Sequence, residues 1–285
     1  MRVVVTGSAG QLGSELVTLL AENGDDVLGV DLPAIDITDP DSVAAVLDSF
    51  APDVVINCAA WTAVDAAEEQ EDAALRVNGE GPRVLAEACR DRGAWLVQVS
   101  TDYVFDGRAT SPYAEDARPD PQGAYGRTKL AGELAVQSVL PDAHYLVRTA
   151  WLYGINGGNF VRTMLRLEGE RETVSVVTDQ VGQPTYARDL ARQVIALLEV
   201  RPPAGTFHGT NSGEVSWFDF TREIFRLAGA DPARVLPTTS AEFVRPAPRP
   251  AYSVLGHERW ADAGLAPMRP WQEALADAFA DGISA

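Results

Sequence analysis

Short runs of β-branched and aliphatic residues alternate along this chain with longer stretches whose apolar positions recur every three to four residues. Residues 2–6, 26–31, 53–57, 95–100 and 143–148 are near-continuous apolar runs of strand length. Such runs belong to strands covered on both faces, as in a parallel sheet. Between them, 11–22, 39–50, 74–92 and 124–138 carry helical periodicity. Pro40 falls at the start of its helix, where a missing N–H costs nothing. Strand and helix alternate to about residue 150, which predicts an α/β fold with a doubly wound parallel sheet. Beyond 150 the pattern loosens. Helices are predicted over 158–168, 187–199, 216–229 and 270–280, with short strands and proline-rich turns between them. Arg245-Pro-Ala-Pro-Arg-Pro250 reads as a stiff loop lining a cleft. The expected organisation is residues 1–150 as one domain and 151–285 mainly as a smaller C-terminal lobe.

The first strand runs directly into Gly7-Ser-Ala-Gly10-Gln11-Leu12-Gly13 and then into helical spacing. Strand, glycine turn and helix form a dinucleotide-binding unit of the Rossmann type, although the spacing is G-x-x-G-x-x-G. Glycines let backbone N–H groups approach a pyrophosphate, and the helix N-terminus faces its charge. Asp31 lies 18 residues after Gly13, where an acid can bind the adenosine ribose hydroxyls. No arginine follows it closely to meet a 2′-phosphate. NADH is therefore favoured over NADPH as cofactor. The bland alternative is a solvated acid at a strand end.

Candidate chemistry centres on Lys129. It is the single lysine among 23 basic residues, and it stands four positions after Tyr125. On a helix the two share a face. A phenol beside an ammonium is a proton donor of lowered pKa. The competing explanation is an accidental surface pair. Upstream, a predicted strand ends in Ser100-Thr101-Asp102-Tyr103, at the sheet edge where open α/β folds hold ligands. Ser100 and Thr101 could hydrogen-bond a substrate oxygen or the tyrosine hydroxyl, or simply cap a turn.

Charge narrows the partners. The formal charge is −18, from 23 basic and 41 acidic side chains, which argues against nucleic acid and anionic membrane. Two cysteines are too few for a disulfide framework. No apolar run spans a bilayer and no leader-like segment opens the chain, so a cytoplasmic protein is the expectation.

Several segments together resemble the extended short-chain dehydrogenase/reductases, and within them the dTDP-4-dehydrorhamnose reductases. They are Thr6–Gly13, Asn57-Cys-Ala-Ala-Trp-Thr-Ala-Val-Asp65, Ser100-Thr-Asp-Tyr-Val-Phe-Asp-Gly107 and Tyr125-Gly-Arg-Thr-Lys-Leu-Ala-Gly-Glu133. Arg148-Thr-Ala-Trp-Leu-Tyr-Gly154, Asp179-Gln-Val-Gly-Gln-Pro-Thr185 and Arg249-Pro250 follow in the family's order. The resemblance implies reduction of the C4 carbonyl of a dTDP-4-keto-6-deoxysugar by NADH or NADPH. Tyr125 would be the general acid, Lys129 would lower its pKa and hold the nicotinamide ribose, and Thr101 would hydrogen-bond the reacting oxygen. Gly7, Gly10, Gln11, Leu12 and Gly13 would hold the pyrophosphate. Asp31, Asp36 and Ile37 would hold the adenosine end, and Ala59, Ala60 and Thr62 would line the cofactor cleft. Asp36 has a plainer alternative as a turn or helix cap. Trp151 would stack on the nucleotide base and Arg249 would bind its phosphates. Val64, Asp65, Asp102 and Tyr103 would shape the sugar pocket. His208 would be structural. The family also implies a C-terminal lobe that is not contiguous, with segments returning to the sheet.

Dehydratases of this superfamily place Asp-Glu after the threonine, where this chain has Asp102-Tyr103. Epimerases carry small residues there, so reduction by an exchangeable cofactor fits better. A non-catalytic, cofactor-binding regulatory subunit remains the alternative outside catalysis. Some members are magnesium-linked dimers. Glu15 matches one ligand position, but Arg188 stands where the second acid belongs and Asp189 is out of register by one. The sequence therefore argues against a metal and leaves monomer or homodimer open.

Overall fold

The computed structural model describes residues 1–285. Its first half alternates β1 (Arg2–Thr6), α1 (Gln11–Glu22), β2 (Asp26–Val30), α2 (Pro40–Phe50) and β3 (Val54–Asn57). Then come α3 (Val64–Glu69), α4 (Glu71–Leu75), α5 (Gly81–Arg92), β4 (Trp95–Thr101), α6 (Ala124–Val139) and β5 (His144–Thr149). The second half holds the short strands β6 (Leu152–Tyr153), β7 (Val174–Val177), β8 (Val181–Gly182) and β9 (Thr185–Tyr186), with α7 (Phe160–Glu170) after β6. It continues with α8 (Ala187–Val200), β10 (Gly205–His208), β11 (Val215–Ser216), α9 (Trp217–Leu227), β12 (Val235–Thr238), α10 (Glu258–Asp262) and α11 (Trp271–Ala280).

Six strands form one parallel sheet in the order β10-β5-β4-β3-β1-β2. The apolar runs lie in it with both faces covered. Val3, Val5, Val54 and Ile56 face α1 and α8 on one side, and Val4, Val55 and Leu96 face α2 and α5 on the other. This double burial removes the alternation a half-exposed strand would show. β10 comes from the second half of the chain and extends the sheet beside β5. A third core gathers Tyr153, Val161, Phe220, Phe225 and Trp271 around α7, α9 and α11. No helix is long and apolar enough to cross a membrane.

The helix expected over 74–92 is a correction. α4 ends at Leu75, Arg76–Glu80 forms a π turn, and α5 begins at Gly81 with Pro82 in its first turn. The extra residue turns Asn78 inward. Its Oδ1 accepts from the Trp61 N–H at 2.8 Å, and its Nδ2 donates to the Trp61 carbonyl at 3.0 Å and to Thr128 Oγ1 at 3.2 Å. Such π insertions recur at functional sites; here one ties the loop after β3 to α6.

His208 ends β10 fully buried, with Nδ1 3.0 Å from the Gly256 carbonyl. Burial first, then the neighbouring Arg148, hold it down to about 3. His257, with Nε2 2.7 Å from Thr210 Oγ1, is held down to about 4 by burial. Both are neutral when folded, whereas an unfolded histidine takes a proton near pH ~6.5. Their contribution is therefore fully present above that pH and is lost as pH falls towards the folded values. The fall is up to about 1.4 kcal/mol per pH unit per histidine. Denaturant midpoints measured from neutral to acid pH should fall less steeply for His257→Gln than for the parent. Parallel slopes would contradict a buried neutral His257.

Candidate active site

The carboxyl ends of β1, β2, β3, β4 and β5 open onto one cleft of about 660 Å³. At one wall the chain leaves β1 through Gly7, whose φ of +66° suits glycine. A Cβ on Gly7 would come within 2.6 Å of Ala59 N, and one on Gly13 within 2.2 Å of the Gly7 carbonyl oxygen. Both positions therefore demand glycine for packing of the turn itself, which leaves the start of α1 open to the cleft. Asp31 crosses the mouth of this turn and accepts from the Ala9 N–H at 3.2 Å and its neighbour Leu32 N–H at 3.0 Å. Asp36 also lines the cleft, but its Oδ1 accepts from the Thr38 N–H and hydroxyl at 2.9 and 2.8 Å. Those bonds hold its carboxyl below the usual carboxylate range.

Thirteen residues were expected to hold the cofactor, and all of them line this one cleft: Gly7, Gly10, Gln11, Leu12, Gly13, Asp31, Asp36, Ile37, Ala59, Ala60, Thr62, Tyr125 and Lys129. Val64, Thr101, Asp102, Tyr103 and Trp151, expected on the sugar-nucleotide side, line it too. The sequence reading missed Gly157 and Gly158. Their loop lies over the glycine turn, where Gln11 Nε2 donates to the Gly158 carbonyl at 3.4 Å and Asn156 Nδ2 to Ser14 Oγ at 3.1 Å. The Gly-Gly pair was the available signal: a Cβ on Gly157 would come within 3.0 Å of the Gln11 side chain.

Tyr125 and Lys129 stand on one face at the start of α6, and Thr101 ends β4 beside them. Burial pushes the Tyr125 phenol up to about 12; the Thr101 hydroxyl opposes this and Asp102 adds to it. Lys129 is not among the groups that set it, which corrects the expected lowering. Its Nζ donates instead to the Val99 carbonyl at 2.7 Å. Burial holds the ammonium down to about 8, against the pull of Glu133. A phenol that stays protonated at neutral pH suits an acid, not a base. The Thr101 hydroxyl, expected at the reacting oxygen or the tyrosine hydroxyl, donates to Asp102 Oδ1 at 2.9 Å in this structure.

Asp65 and Arg249 do not line the cleft. The Asp65 carboxylate holds Arg249 at 2.9 Å and Arg245 at 2.7 Å, and it accepts the Ala247 N–H at 3.2 Å. Burial pushes its carboxyl up, but these donors outweigh it and the net shift is downward. This pins the proline-rich loop to the start of α3. Arg249 lines a neighbouring pocket of about 250 Å³ that shares Tyr103 with the cleft, and its buried Nη1 has no partner. Trp151 reaches the cleft in a left-handed conformation, φ +47°. Its ring stacks on Trp217 with centroids 3.4 Å apart, and Gly182 packs against its Nε1–Cε2 side. One face of the indole is thus occupied by Trp217.

The metal reading does not fit these residues. Glu15 has the Arg188 guanidinium 3.9 Å away, and Asp189 is engaged by Arg269 at 2.7 Å and Asn211 at 2.9 Å. A cation placed there would meet guanidinium charge.

The sequence model of a family described as RmlD substrate binding domain matches residues 1–283. A Streptomyces niveus protein described as a dTDP-4-keto-6-deoxy-D-glucose reductase is 54% identical, over 98% of this chain and 96% of its own. A Streptomyces griseus dTDP-4-dehydrorhamnose reductase is 53% identical, over 98% of this chain and 93% of its own. Among solved structures, a dTDP-4-dehydrorhamnose reductase from Bacillus anthracis in complex with NADP superposes with a TM-score of 0.95. It is 41% identical, over 98% of this chain and 99% of that one.

Proposed function

This chain belongs to the RmlD substrate binding domain family, and from that premise we propose that it reduces the C4 keto group of a dTDP-4-keto-6-deoxysugar, with dTDP-4-dehydro-L-rhamnose as substrate and dTDP-L-rhamnose as product. The observation that carries the reading is that Tyr125, the buried Lys129 and a tightly packed glycine turn share one cleft. When bound, the reduced nicotinamide supplies the hydride for the carbonyl carbon. Tyr125 gives its proton to the carbonyl oxygen, which would otherwise have to carry the developing negative charge. Lys129, held to Val99, orients the nicotinamide ribose. The glycine turn and the N-terminus of α1 hold the pyrophosphate. Val64, Asp102 and Tyr103 bound the sugar, with Trp151 as the wall beyond. Arg249 takes a phosphate through its unpartnered Nη1, next to the Asp65 that already orients it. The lobe around α7, α9 and α11 forms the substrate-binding half.

The Asp31 carboxylate at the ribose end favours NADH, since a 2′-phosphate would meet like charge. Asp31→Ala should narrow the ratio of kcat/KM for NADH over NADPH, checked by steady-state kinetics with both cofactors. An unchanged ratio would remove Asp31 from ribose recognition.

A second sugar is kept in view because relatives named for two different keto sugars stand at nearly equal identity. Side-by-side turnover of dTDP-4-dehydro-L-rhamnose and dTDP-4-keto-6-deoxy-D-glucose, with products identified by NMR, separates them. Higher kcat/KM for the first supports the rhamnose reading. Preference for the second would overturn it while leaving the chemistry intact.

A further inference from the structure

Parallel strands are normally covered on both faces. In β10, Phe207 packs into the core shared with α1 and α8. Its neighbour Thr206 pairs with Leu146 and faces the opposite side with it. On that side α5 and α6 lie over β4 and β5. β10 meets instead the loop at residues 114–119 and the five-residue α10. The helical layer is left incomplete there, and a pocket of about 700 Å³ opens between these segments and α6. It shares no lining residue with the candidate active site.

The charge of this pocket is unbalanced, with five carboxylates against two guanidiniums in its lining. Arg148 is bound by Glu133 in a buried pair, at 2.9 and 2.7 Å. Arg259 donates to the Ala204 carbonyl at 3.0 Å and lies over the Phe207 ring. Glu115 and Asp116 on the loop, and Glu258 and Asp262 one turn apart on α10, line the pocket without an ion pair. Burial pushes the Glu115 carboxyl up, and the Arg259 backbone N–H that it accepts at 3.1 Å opposes this. A second observation is independent of charge. Thr206 is 6% exposed and lines the pocket, and its hydroxyl makes no hydrogen bond within the protein. That hydroxyl can accept from an ammonium. The apolar lining includes Leu130 and Leu134, one turn apart on α6, and Leu134 is 56% exposed. An anion would meet the carboxylates. A compact metal ion lacks a ligand set, since no three acidic, histidine or cysteine side chains converge. An extended organic cation needs only separated carboxylates and an apolar floor. We infer that this pocket binds a small aliphatic cation with two ammonium groups, one held by the loop acids and the Thr206 hydroxyl, the other by the acids of α10, with its methylenes on Leu130 and Leu134.

The test is calorimetric titration of the intact protein with putrescine at low ionic strength. Saturable binding of one molecule is expected, and none of butanediol, which has the same chain without charge. Thr206→Val keeps the shape of the strand residue and removes the hydroxyl, and Glu115→Gln removes one charge. Each should weaken putrescine binding about tenfold, the scale of one hydrogen bond to a charged group. Glu172→Gln makes the same charge change at an exposed position just before β7, and should leave Kd within about twofold. It separates a built site from the general attraction of an acidic chain for cations. Absence of saturable binding, unchanged affinity in Thr206→Val, or equal weakening by Glu172→Gln would overturn the inference. A second measurement needs no variant. In the unmodified protein, putrescine should shift the NMR methyl signals of Leu130, Leu134 and Thr206 with one common midpoint, while Leu12 in the candidate active site stays fixed. Unmoved signals at those three residues would overturn the inference as well.

Discussion

Replacing Tyr125 with phenylalanine should leave cofactor binding within about twofold and cut keto-sugar turnover by roughly 10²-fold or more, the usual contribution of a positioned general acid. The ring sits among Tyr103, Thr101 and Asp102, and phenylalanine fills the same space, so packing around it is kept. Only the proton is lost. Burial keeps the phenol protonated up to about 12, so this residue supplies an acid throughout the neutral range. The loss should accordingly be seen in kcat at every pH from mildly acid to mildly alkaline. Stopped-flow binding of the cofactor, run beside steady-state turnover, separates the two effects. Near-normal turnover would remove Tyr125 from the chemistry.

Gly13→Val should act at the other end of the cleft and abolish useful cofactor binding. A Cβ at this position would stand 2.2 Å from the Gly7 carbonyl oxygen and 2.8 Å from Ser8 Cα, both backbone atoms that no rotamer can move. The turn must open to admit it. Forcing atoms into a packed site costs about 1–3 kcal/mol, and each 1.4 kcal/mol is about tenfold in affinity. The cofactor Kd should therefore rise about 10- to 100-fold, by fluorescence titration, with thermal stability lowered as well. Tight binding by Gly13→Val would mean that the pyrophosphate lies elsewhere.

Much of this site was legible because its signals are local. A β-branched run, a glycine turn and an acid at the end of the next strand specify their own geometry over 31 residues. Tyr125 and Lys129 need only one helical turn to meet. What the sequence hid depends on contacts between distant segments. Nothing near Asp65 announces that Arg245 and Arg249 will close on it from 180 residues away. The stack of Trp151 on Trp217 joins the residue just before β6 to the start of α9, and only the fold brings those two rings together. The π turn at Arg76–Glu80 follows helical periodicity closely enough to read as helix; its glycines and Pro82 were the hint. The direction of the Lys129 ammonium, towards Val99, is set by the strand it packs on and leaves no trace in the spacing. Polar groups are the least legible for the same reason: a donor's partner is a matter of tertiary placement, while burial of an apolar run follows from its composition.

The most direct test of the central claim follows the hydrogen itself. The protein would be given a dTDP-4-keto-6-deoxysugar and NADH carrying deuterium in both positions at the nicotinamide C4, and the isolated product examined by NMR. The account predicts deuterium on C4 of the sugar, with the new hydroxyl proton drawn from solvent through Tyr125. A product without deuterium at that carbon, or cofactor that stays bound and unoxidised with every keto sugar offered, would contradict it.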